Sequence, residues 1–240
     1  MIPKDFKKLE QKTGVKFKNK ELLKEALTHR SYLNENPHWP LPDNERLEFL
    51  GDAVLELVTT EFLYRTFPDY QEGELTSLRA ALVNYEMMAR VAKEICLDEF
   101  ILLSKGEAKD LGKAREVILA NSIEALIGAV YLDRGYEISK KFINAVLLKH
   151  LEEVIERKLY QDPKSLLQEI IQEKSRVTPI YKVLEESGPD HQKNFLVGVY
   201  AGIKLLARGN GFSKQEAERK AAEAALKEVK DVRPAKKKSK

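Results

Sequence analysis

The feature that most constrains this chain is a change of hydrophobic period near residue 163. Over the first 158 residues apolar side chains return every three or four positions, the spacing of one helix face, and strand-like alternation is scarce. Asn19 precedes Leu22, Leu23, Ala26 and Leu27, and Asp43 precedes a helical run from 46 to about 65 that Pro68 closes. Further helices are expected over 75–95, over 114–133 with Gly135 beyond, and over 138–158. This part should be an all-α domain. After a short linker, Asp162 and Pro163 suit the N-cap and first turn of a new helix over 165–174. Three strand-like runs follow, 180–185, 194–200 and 203–208, separated by turn residues Ser187, Gly188 and Pro189 and then Ala201 and Gly202. Ser213 with Glu216 forms a capping box for a last helix, whose buried stripe is Ala217, Ala221, Ala222, Ala225 and Leu226. The expected architecture is therefore an all-α domain at 1–158, a small α+β unit of order α-β-β-β-α at 161–229, and a disordered tail at 230–240.

The net charge of +3 is unevenly spread: residues 1–160 carry −3, residues 161–229 carry +1, and residues 230–240 carry +5. The basic pI of about 8.7 thus comes from a Pro- and Lys-rich tail too polar to fold. That tail is either a solvated end or an arm that steers nucleic acid. Any nucleic-acid site in the folded parts must be a local arrangement. The N-terminus is charged throughout, and the most apolar helix, around 118–132, is interrupted by Glu124, so neither a signal peptide nor a membrane span is expected. A soluble, cytoplasmic protein follows. The single Cys96 excludes an internal disulfide and a cysteine-rich metal site, and its neighbours Ile95, Leu97 and Phe100 suggest a small buried hydrophobe.

Chemistry concentrates in Asn44-Glu-Arg-Leu-Glu-Phe-Leu-Gly-Asp52. Glu45, Glu48 and Asp52, spaced three and four apart, fall on one helix face with side chains about 5–6 Å apart. Three carboxylates this close repel one another. Either they are a solvated acidic surface, or a cation of the Mg²⁺ or Mn²⁺ type offsets the repulsion. Glu56, on the same face, is assigned to the plain surface. In the second helix Asn121 and Glu124 lie one turn apart in apolar surroundings, and Gly128 permits close helix approach. A buried glutamate needs a partner. An arginine such as Arg79 or Arg115 would serve, and so would a metal.

The stretch 44–52 resembles the signature of the ribonuclease III family, supported by Ala26-Leu-Thr-His-Arg-Ser-Tyr32, Glu72-Gly73 and the segment 125–135. The C-terminal unit is similar to a double-stranded-RNA-binding domain through Gly188-Pro-Asp-His191 and Ser213-Lys-Gln-Glu-Ala-Glu-Arg-Lys-Ala-Ala222. The resemblance implies a divalent-metal endonuclease of double-stranded RNA that leaves 5′-phosphate and 3′-hydroxyl ends and processes rRNA and mRNA precursors. It implies that Glu48, Asp52, Asn121 and Glu124 surround a Mg²⁺, with Mn²⁺ as a substitute, and that Glu45 and Glu72 form an outer acidic pair. His29 is assigned to helix packing. In the second domain Gln168, Glu169 and Gln172 would enter one minor groove and His191 the next, while Ser213, Lys214 and the amides of the last helix meet phosphates between them. Gln215 and Glu218 stand where many relatives have lysine, which suggests modest affinity. Lys214, Arg219 and Lys220 are otherwise an ordinary charged helix face. The family is dimeric, and Phe49 either forms a homodimer interface or packs within its own domain. Asn121 replaces a common aspartate. It leaves an active enzyme with a raised metal requirement, or else it cripples catalysis and leaves a double-stranded-RNA-binding regulator.

Overall fold

The computed structural model describes residues 6–109, 112–189 and 193–231. The chain divides into two compact units, Met1–Tyr160 and Gln161–Lys240, taken here one at a time. Among the described residues no helix is long and apolar enough to cross a membrane.

The first unit is helical: α1 (Phe6–Thr13), α2 (Lys20–Ala26), α3 (Arg30–Glu35), α4 (Glu45–Thr66), α5 (Glu72–Val83), α6 (Tyr85–Glu94), α7 (Lys113–Arg134), α8 (Tyr136–Val146) and α9 (Leu151–Glu156). Helix α7 is apolar on nearly every side, from Ile118 to Val130, and is buried to match, as a central helix must be. Helix α4 lies against it through Leu47, Gly51, Val54, Leu55 and Val58. Their approach is exceptionally close. A methyl group on Gly51 would collide with the Glu124 carbonyl, and one on Gly128 with the Leu47 carbonyl, so both glycines are required by backbone contact. The start of α4 is pinned as well. Asn44, almost fully buried, donates from Nδ2 to the Ala26 carbonyl at 3.2 Å and from its backbone N–H to the Thr28 carbonyl at 2.9 Å.

Several expectations are corrected. The run 75–95 is two helices, because Asn84 ends one and begins the next. Its Nδ2 donates to the Ala80 and Ala81 carbonyls, and its Oδ1 accepts from the Met87 N–H at 2.9 Å. The run 138–158 is broken after Val146 by a 3₁₀ turn over Leu148–His150. The first helical residue of α4 is Glu45, one position before the expected start, although Asp43 does accept from the Glu45 N–H at 3.2 Å. Cys96 is only partly buried and adopts a left-handed conformation (φ 54°) that closes α6. His29, half-buried, also caps α3, its Nδ1 accepting from the Ser31 N–H at 3.3 Å.

In the second unit α10 (Pro163–Ser175) and α11 (Lys214–Asp231) cover one face of an antiparallel sheet of order β1-β2-β3, with β1 at Pro179–Ser187, β2 at Asn194–Ala201 and β3 at Lys204–Gly211. All three strands run one to three residues beyond the expected runs, and β3 starts after Ile203, which sits exposed in the turn. Bulges fall between Val183 and Glu185 and beside Val199. Leu166, Leu167, Ile171, Val199, Ala221, Ala222, Ala225 and Leu226 form a separate core.

Candidate active site

The crossing of α4 and α7 brings together side chains more than seventy positions apart in sequence. Glu48 and Asp52 project from α4, and Asn121 and Glu124 from the facing turns of α7. The Asn121 side chain hydrogen-bonds the Glu48 carboxylate. Glu124 is largely buried, and burial together with the neighbouring Asp52 and Glu48 carboxylates raises its pKa from 4.5 to about 8. Burial also raises Glu48, with Glu45 and Asp52 adding to the effect while the Asn121 hydrogen bond opposes it. Asp52 is raised by burial and by Glu56.

The arginines that might have balanced Glu124 are elsewhere. Arg79 donates to Thr60 Oγ1 at 3.0 Å on α4, and Arg115 to the Asp98 carbonyl at 3.3 Å. The ion-pair alternative for Glu124 therefore does not form. Three carboxylates share a half-buried recess, and no described cation is paired with Glu48, Asp52 or Glu124. Among the described residues no three acidic or imidazole side chains converge tightly enough to make a finished metal cage. The donor set of three carboxylate groups and one amide oxygen nevertheless fits a hard divalent cation, which takes oxygen ligands and would supply the missing positive charge.

The other predicted acidic residues do not all join this group. Glu45 lies one turn from Glu48 and meets Arg30 at 3.5 Å. Glu72 begins α5 and lines a second cavity of about 490 Å³ with Leu63, Tyr64 and Arg79, beside the last turns of α4. At 1.5 Å per residue Glu45 and Leu63 are roughly 27 Å apart along that helix, so one chain does not pair Glu45 with Glu72. Phe49 is 83% exposed, which excludes packing within its own domain, and Leu57 and Tyr64 continue an exposed stripe along the same helix.

On the second unit Gln168, Glu169 and Gln172 are exposed on α10. Ser213 Oγ accepts from the Glu216 N–H at 3.1 Å and so caps α11. Lys214 is ion-paired with Glu186 at 3.1 Å and lies over the Phe195 ring. His191 lies outside the described residues. Sequence reasoning did not single out Lys164, whose ammonium pairs with Glu218 at 2.6 Å and lies over the Tyr181 ring at 4.8 Å. Only contact between α10 and α11 gives it a context.

A helical domain with an acidic recess where two long helices cross, joined to an α-β-β-β-α unit, defines a nuclease of the kind that acts on double-stranded RNA. Comparison with known proteins agrees at the level of sequence. A family model described as ribonuclease-III-like matches residues 19–151, and one described as a double-stranded RNA binding motif matches 163–229. The chain is 44% identical to ribonuclease 3 of Borreliella afzelii over 91% of its length and 89% of that protein. It is 46% identical to ribonuclease 3 of Carboxydothermus hydrogenoformans over 93% and 95%. The solved nuclease domain of ribonuclease III from Campylobacter jejuni, reported for structural flexibility in a region involved in dimer formation, covers 60% of this chain and 97% of its own at a TM-score of 0.55 and 43% identity. This chain belongs to the ribonuclease III family, and it is a divalent-metal-dependent ribonuclease with a double-stranded-RNA-binding domain.

Proposed function

We propose that this protein is a Mg²⁺-dependent endoribonuclease that cuts double-stranded RNA at the α4–α7 crossing, with Mn²⁺ able to replace Mg²⁺. The observation that carries this is the meeting of four groups where α4 crosses α7: Glu124 is largely buried beside Asp52 and Glu48, Asn121 hydrogen-bonds Glu48, and Arg79 and Arg115 are both engaged elsewhere. Glu48, Asp52, Asn121 and Glu124 would hold the cation, which when bound supplies charge for an attacking water and a departing 3′ oxygen. The protein's own part is to fix these groups on two rigid helices and to keep Glu48 oriented through Asn121. The ends left are 5′-phosphate and 3′-hydroxyl, and rRNA and mRNA precursors are the natural substrates.

A second copy of the chain completes this reading. The exposed stripe Phe49, Leu57 and Tyr64 runs along α4 with Leu57 near its middle, so a twofold axis there would set two α4 helices antiparallel. The partner's Glu72 would then approach Glu45, forming the outer acidic pair that one chain keeps apart, and two recesses would face the two strands of a duplex. Gln168, Glu169 and Gln172 read A-form shape in one minor groove and His191 in the next, and Ser213 and Lys214 meet phosphates between them.

The test is a long duplex RNA incubated with the pure protein in Mg²⁺, Mn²⁺, Ca²⁺ and EDTA. Cuts with a short stagger in Mg²⁺ and Mn²⁺ alone are expected. Duplex binding without cuts in either metal would refute the enzyme and establish the regulator that Asn121 made conceivable.

A further inference from the structure

The RNA domain contains a cleft of about 480 Å³ between α10 and the first turns of α11, whose lining includes Lys164, Ser165, Gln168, Tyr181, Gln215 and Arg219. Its position is informative. Lys164 lies one helical turn before Gln168, and Gln215 directly follows Lys214, so the cleft joins the helix face assigned to the minor groove to the one assigned to phosphates.

The cleft, which Asp162 also lines, holds two cations that are both already paired with carboxylates. Lys164 Nζ is held at 2.6 Å by the Glu218 carboxylate, and Arg219 at 2.9 Å by Glu223. The Tyr181 hydroxyl is buried and has no hydrogen-bond partner among the described residues. Burial, with Asp162 and Glu218 nearby, pushes its pKa up to about 12, so this hydroxyl stays a donor at neutral pH. A carboxylate and a phosphodiester offer an ammonium the same kind of oxygen. Glu218 thus stands where a phosphate could stand.

We propose that this cleft is an RNA-phosphate site, with Lys164 and Arg219 as its cations and Glu218 as the internal anion that a docking duplex displaces from Lys164. A lysine that carries its own carboxylate presents no net charge, so it does not attract isolated anions, and counterions leave the duplex only once Lys164 has exchanged Glu218 for a phosphate. The line of charge on a duplex is dense enough to displace a single half-buried carboxylate. The modest affinity that Glu218 implies is then a consequence of exchange and not of a missing cation.

The proposal rests on the assignment of Gln168 and Lys214 to the RNA face, and the experiment separates the two. Affinity of the full-length protein for a labelled duplex RNA is measured in Ca²⁺ across a range of KCl concentrations. Lys164→Gln, and Lys164→Met which retains the stem over Tyr181, should both weaken binding about three- to tenfold and reduce the slope of log affinity against log salt by about one. Glu218→Gln should tighten binding about two- to fivefold, the scale of one partly exposed ion pair, and steepen the slope. In the Lys164→Met background that gain should vanish. Unchanged affinity and slope in both Lys164 variants would overturn the site, and so would an equal gain from Glu218→Gln with and without Lys164, which would be a long-range charge effect. A Lys214→Ala protein that binds as tightly as wild type would instead refute the underlying assignment. Matching melting curves establish that each variant is folded.

Discussion

Glu124 shows how much one side chain can carry. Its carboxyl holds a proton in the native state up to about pH 8, whereas an unfolded chain releases it near 4.5. Between those values the native state binds more protons, so stability of the metal-free protein falls as pH rises through that window. Urea melts in EDTA at pH 5 and pH 8 should show this decline, and Glu124→Gln should flatten it; parallel curves for the two proteins would contradict the burial of an ionisable group there. Added Mg²⁺ should restore wild-type stability at pH 8 and leave the variant unmoved. Glu124→Gln should also lower cleavage at least about a hundredfold, since even groups behind a metal ligand cost 10–100-fold, while duplex affinity stays nearly intact. Asn121 is the complementary case. Its amide steadies Glu48 but brings no charge, so Asn121→Asp should lower the Mg²⁺ concentration for half-maximal cleavage without altering duplex affinity in Ca²⁺. An unchanged metal requirement would place residue 121 outside the working shell.

Among the elements, the α4–α7 pair decides the site, and two glycines decide the pair. Gly51→Ala or Gly128→Ala drives a methyl group into a facing carbonyl, so the helices must separate. Overpacking of this kind costs about 1–3 kcal/mol. Each variant should therefore melt lower in denaturant and lose cleavage beyond what stability explains, because Asp52 and Glu124 sit on the displaced turns; wild-type melting would mean that the approach is not tight. Gly128 was legible beforehand from its place on the Asn121–Glu124 side of the helix. The break at Asn84 was not. Apolar residues keep the helical period straight through it, and what ends α5 is a side chain turned back onto the Ala80 and Ala81 carbonyls, which periodicity does not register.

At the scale of the whole molecule, the ribonuclease-III-like match and the double-stranded RNA binding motif fall on different parts of the chain. Removal of residues 161–240 should weaken duplex binding and leave slow cutting at low salt, where phosphate contacts are strongest. A folded truncated protein inactive at every salt concentration would overturn this division. The exposed Phe49, Leu57 and Tyr64 give a prediction for assembly. Sedimentation should find a dimer in wild type and a shift toward monomer in Leu57→Asp, together with loss of paired, staggered cuts.

The sequence by itself determined the two architectures, because a change from period 3.6 to period 2 is a local signal repeated at every turn and strand. It also determined that Glu45, Glu48 and Asp52 share a face, since spacing along one helix is fixed by backbone geometry. It left open what answers Glu124, since a partner could come from any element. Only the tertiary structure settled that Arg79 and Arg115 are spent elsewhere and that Glu124 shares its recess with Asp52 and Glu48. Likewise only the fold separates Glu72 from Glu45 along a 22-residue helix and brings Lys164 to Glu218, 54 positions away. Such pairings depend on how helices cross, and crossing is set by the sum of many small packing contacts that no local stretch of sequence contains.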